Sequence, residues 1–130
     1  MGEVFIMKRG YSAESNKTVR KFILDNLGYT SDDENYNKAV LSFTNDVKKR
    51  MEYAKQGGYW YYYPAGAVEI LMINLSDYFC NELAFLVSLG YPEVNSRGKE
   101  FTEDEIHKKY MNVLTREGYK LYNQGLKLMQ

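Results

Sequence analysis

At 130 residues, with 45% hydrophobic and 26% charged residues, the chain has the size and balance of one globular domain spanning 1–130, which argues against a disordered tail, a collagen-like repeat or a charged linker. Seventeen basic and seventeen acidic residues cancel, so no whole-molecule field draws it to nucleic acid or to an anionic membrane. A single cysteine, Cys80, permits no internal disulfide, and the N-terminus shows no apolar stretch of signal-peptide length, so a reducing, cytoplasmic location is expected.

Residues 3–7 suit a short strand or an ordered arm, Val4 and Ile6 alternating with Phe5 and Met7. From Asn16 the pattern turns helical: Val19, Phe22, Ile23 and Leu27 recur at three and four, and Gly28 suits a C-terminal cap. Ser31, Asp32, Asp33 and Glu34 fit a capping box for a second helix with the stripe Tyr36, Val40, Phe43, Val47, Met51 and Ala54, ending at Gly57 and Gly58. Residues 59–63 are five consecutive aromatics closed by Pro64, a composition that prefers extended chain. Residues 65–89 read as one long apolar helix, the expected centre of the fold, with Asn74, Asp77, Asn81 and Ser88 as a polar strip. That segment is interrupted by Glu69, Asn74, Asp77, Asn81 and Glu82, so it is a core helix rather than a membrane span. Thr102 to Glu105 form a second capping box, opening a helix that runs nearly to the C-terminus with Gly118 and Gly125 as weak points. The expected fold is therefore mainly α, a compact bundle of about four helices around 65–89, with a small two-stranded β element pairing 3–7 with 59–63.

Catalytic vocabulary is sparse. One histidine, His107, and one cysteine build neither a Cys/His zinc site nor a two-histidine metal site in one chain. His107 falls at the edge of an apolar helix face with Met111, Leu114, Gly118 and Leu121, where a structural histidine belongs, and Cys80 reads as a small buried hydrophobe. Phosphate-binding loops are missing, since Ser96, Arg97, Gly98 and Lys99 lack the required frame. A pocket pairing Asp77 with His107 is the one enzymatic alternative, and it requires the two to share a substrate. A helix-turn-helix over the first two helices would lead with Asp32, Asp33 and Glu34, which would meet phosphates badly. No catalytic residue, cofactor or metal is expected.

Two features remain. Tyr59, Trp60, Tyr61, Tyr62 and Tyr63 would send rings to both sides of an extended chain, either into the core or onto a binding surface. Along the C-terminal helix Lys109, Asn112, Arg116, Lys120, Asn123 and Lys127 share one face, a solvated surface or a contact for phosphate or an acidic protein. Residues 56–96 contain Glu69, Asp77, Glu82 and Glu93 and no Lys or Arg, so the neutral total conceals a polarised chain. Twelve Lys to five Arg, ten Asn and thirteen Tyr suggest AT-rich coding, as in a phage or mobile element of a low-GC bacterium. The expected function is a non-enzymatic protein-protein interaction module, an adaptor, inhibitor or regulator directed at a larger, host-encoded protein through residues 59–63. A nucleic-acid-binding regulator using the basic C-terminal face is the alternative, and a homodimer would close a core with so many apolar positions.

Overall fold

The computed structural model describes residues 13–130, so the arm at 3–7 lies outside the described residues. Five helices follow in chain order among them: α1 Ala13–Asn26, α2 Tyr36–Gly57, α3 Pro64–Ile73, α4 Phe79–Ser88 and α5 Glu103–Leu128. The mainly α expectation holds, with five helices where about four were expected. The described residues contain no sheet: residues 59–63 form an irregular connector, not a strand, and Val94 and Glu100 make one isolated antiparallel bridge.

The centre is also different. Residues 65–89 are not one helix but two, and α5, not this segment, packs against each of the other four. The break at 74–78 satisfies its own backbone. Leu75 and Ser76 donate to the carbonyls three residues back, Tyr110 Oη donates to the Leu75 carbonyl at 2.8 Å, and the Asp77 N–H donates to Glu82 Oε2 at 2.9 Å. Asp77 Oδ1 then accepts the Tyr78 N–H at 2.7 Å, so short polar side chains here compete with helix and start the next one. Asn74 and Asp77 therefore do not share a helix face with Asn81 and Ser88.

Apolar periodicity is otherwise realised as read. Val19 and Ile23 of α1, Val40, Phe43 and Val47 of α2, and Leu114 and Leu121 of α5 are fully buried and join Val68 and Met72 of α3 and Leu86 of α4 in one core cluster. Each such burial contributes roughly 1.5–3 kcal/mol. Gly118 and Gly125 are not weak points but crossing points. A Cβ at Gly118 would stand 2.8 Å from Val68 Cγ1, and one at Gly125 would overlap Thr44, so each glycine lets a neighbouring helix approach the α5 backbone.

Caps divide in the same way. The Thr102 box forms, Thr102 N–H donating to Glu105 Oε1 at 2.8 Å and Glu105 N–H to Thr102 Oγ1 at 3.1 Å. The Ser31 box does not: Ser31 is buried and its hydroxyl donates to Asp25 Oδ1 at 2.6 Å, while α2 begins at Tyr36 behind Asn35. Cys80, expected to be buried, is exposed: α4 buries Glu82 and Leu86, four residues apart, and Cys80, two residues before Glu82, falls on the opposite side of the helix. Among the described residues no helix is long and apolar enough to cross a membrane.

Candidate interaction surface

The connector between α2 and α3 is built by glycine and proline. Gly58 takes φ 74, a left-handed conformation that ends α2, and its N–H donates to the Ala54 carbonyl. Tyr59 N–H reaches the same carbonyl at 2.8 Å, and Tyr63, extended, caps α3, whose first residue is Pro64. Both ends of the run are thus fixed to helices that pack on α5.

Between these ends the rings pack mainly on one another. Tyr53, from the last turns of α2, stacks on Tyr59 at 5.8 Å between centroids and 16° between planes, and Tyr59 stacks on Tyr61 at 5.6 Å and 11°. Trp60 stands edge-on to Tyr61 at 5.7 Å and leans on Tyr63 at 6.3 Å, and Tyr62 meets Tyr63 edge-on at 5.7 Å. Such offset and edge contacts are the preferred geometries of aromatic quadrupoles, each contributing about 0.5–1.5 kcal/mol beyond burial. Gly66 on the first turn of α3 is the seat: an added Cβ would lie 3.0 Å from the Tyr63 ring, 3.1 Å from the Trp60 ring and 3.2 Å from Tyr61 Cα.

None of the five residues belongs to the core cluster. Tyr59 is 46% exposed, Trp60 51%, Tyr62 58% and Tyr63 44%, Tyr61 is half-buried, and Tyr53 is 62% exposed. The alternation expected of a strand survives only in Tyr59 and Tyr61, because the chain between them is irregular. The Tyr59 hydroxyl, through charge and then a hydrogen bond, pushes the Tyr53 phenol above its ordinary range. The arrangement is a preformed aromatic surface, half open to solvent, with its hydroxyls at hand for polar contacts.

The basic C-terminal face is present but partly engaged. Asn112, Arg116, Lys120, Asn123 and Lys127 are exposed, and Lys109 is half-buried. The Lys109 amine lies 5.4 Å from the Tyr91 ring centroid and 5.2 Å from that of Phe101. Lys120 Nζ donates to Glu117 Oε2 at 3.1 Å, and the fully buried Glu117 takes Arg20 Nη1 on its other oxygen at 2.9 Å. Burial opposes the Arg20 charge, and hydrogen bonds with Tyr36 and Glu117 outweigh it, raising its pKa.

Asp77 and His107 meet the same buried carboxylate: the half-exposed imidazole places Nδ1 3.1 Å from both Glu82 oxygens, and the Asp77 N–H donates to Glu82 Oε2 at 2.9 Å, while the Asp77 carboxylate itself takes the Tyr78 N–H and the Asn81 amide at the α4 start. Glu82 and Glu117 were missed as buried charges because the helices that cover them bring in His107 and Arg20, which lie 25 and 97 residues away in the chain. Tyr53 was missed as a platform residue because α2 periodicity places it outside the apolar stripe, which says it is exposed and nothing about the ring that stacks on it. Comparison with protein-family models, with curated proteins and with solved structures finds no match.

Proposed function

We propose that this protein is a non-enzymatic docking module, an adaptor, inhibitor or regulator that binds a larger protein through the aromatic surface of residues 59–63. One observation carries the reading. Five consecutive aromatic side chains are assembled into a fixed cluster by Gly58, Pro64 and Gly66, yet four of them keep 44–58% of their surface in water. Leaving that much aromatic area exposed gains the folded chain nothing, whereas a preordered cluster loses little entropy when a partner covers it. Tyr and Trp are also the residues around which binding energy concentrates. The composition that suggests a phage or mobile element makes a host regulatory or defence protein the natural target.

The test is capture from a lysate of the source cell or its host, with nuclease, at low and high salt. Wild type should retain one protein near stoichiometry through both treatments, and a Trp60→Ala, Tyr62→Ala double variant with the same circular dichroism spectrum should lose it. Capture unchanged in that variant would sink the reading. Nucleic acid recovered alone, lost in high salt and lost on reversing Arg116 and Lys127, would move the function to the C-terminal face. Sedimentation velocity on the same material reads out a second copy of the chain as the partner.

A further inference from the structure

The aromatic surface continues past the connector onto α2. Lys49 and Arg50 precede Tyr53 by four and three residues, which places all three on one side of the helix. A groove of about 430 Å³ opens beside them, lined by Asp46, Lys49, Arg50, Tyr53, Tyr61 and Leu71. Leu71, 6% exposed, is a core residue reached at its base, and Tyr53 and Tyr61 are the two outer rings of the tyrosine stack. Asp46, the one carboxylate of the lining, accepts the Tyr29 hydroxyl on Oδ2. Among the described residues Lys49 and Arg50 have no ion-pair partner. The groove is therefore apolar and aromatic at its base, and its α2 rim carries two cations to one carboxylate.

Resting on the docking reading, we propose that this groove receives an acidic segment of the partner protein. One apolar or aromatic side chain of that segment sits against Tyr61 and Leu71, and neighbouring carboxylates meet Lys49 and Arg50. Charge complementarity selects the occupant. A cationic rim beside an apolar base steers and orients an acid-flanked anchor, and repels a basic one. A nucleic-acid strand needs cations that track its backbone, but the rim covers a single turn of α2, Glu52 follows it, and residues 56–96 on the other side supply no Lys or Arg.

The probe is a phage-displayed library of random dodecapeptides selected on the full chain. Enriched peptides are then measured by fluorescence polarisation and by the emission of Trp60, the chain's one tryptophan, whose ring stands 5.7 Å from that of Tyr61. The expected result is enrichment of acid-rich peptides carrying an aromatic or aliphatic residue, a change in Trp60 emission on binding, and an affinity that falls with salt. Lys49→Glu with Arg50→Glu should weaken these peptides by about tenfold or more. Lys49→Glu alone, at an exposed position, gives the same direction if the double variant fails to fold. No enrichment, enrichment without acidic residues, or affinity indifferent to the charge reversals overturns the proposal. So does tight binding of oligothymidylate that the reversals abolish. Peptides that lose affinity with Trp60→Ala and Tyr62→Ala but not with the reversals remove the groove and leave the docking surface standing, and indifference to both sets removes both.

Discussion

Tyr110 takes a hydroxyl into the core and uses it to hold the Leu75 carbonyl where α3 ends. Burial, then the charges of Glu82 and Asp77, push its phenol up to about 12. The unfolded phenol titrates near 10, so the folded chain binds the extra proton between those two values. Stability from this residue is complete below about pH 10 and declines as pH rises towards 12, by roughly 2–3 kcal/mol in all. Tyr110→Phe should cost about 1 kcal/mol at neutral pH through the lost hydrogen bond and should flatten the alkaline decline. Urea unfolding of both chains across the alkaline range checks this, and an equal decline in the two would clear Tyr110. The sequence reading of this helix followed His107, Met111, Leu114 and Leu121 and passed over Tyr110, whose hydrogen-bond partner is a main-chain carbonyl 35 residues away that only the helix break leaves free to accept.

Where α2 crosses α5, the close approach depends on Gly125 lying against Thr44, whose own hydroxyl donates to the Val40 carbonyl at 2.9 Å. Gly125→Ala gains about 1 kcal/mol of helix propensity, but its methyl overlaps a fully buried side chain held by its own helix, and overpacking of that kind costs about 1–3 kcal/mol. Net destabilisation is expected, with a lower urea midpoint and an unchanged m-value, and a raised midpoint would contradict the crossing. Local signals such as Thr102 with Glu105 were readable because both partners stand within one turn. Ser31 misled for a physical reason: a hydroxyl suited to capping was claimed by Asp25, six residues earlier. Likewise the apolar composition of 65–89 concealed its break, because composition does not say that Asn74, Ser76 and Asp77 will turn the chain.

The bundle as a whole is organised by α5, which touches all four other helices and contributes Ile106, Tyr110, Val113, Leu114, Leu121 and Tyr122 to the core. Opening its central turns requires dismantling the molecule, so amide hydrogen exchange should be slowest between residues 106 and 122 and fast in the loop of residues 90–100. Slower exchange in α4 than in α5 would show that the hub lies elsewhere. The identity of the hub was not legible, because the most apolar segment looked central although Ile73, Tyr78, Phe79 and Val87 are exposed. The aromatic run was visible at once, but its exposure depended on how two helices meet a third. That dependence has a use. The rings are held by Gly58, Pro64 and Gly66, all between the end of one helix and the first turn of the next. The segment is thus a portable epitope: a different helical hairpin with the same residues at this junction, and the same angle between its helices, would display the same aromatic face without the rest of the bundle.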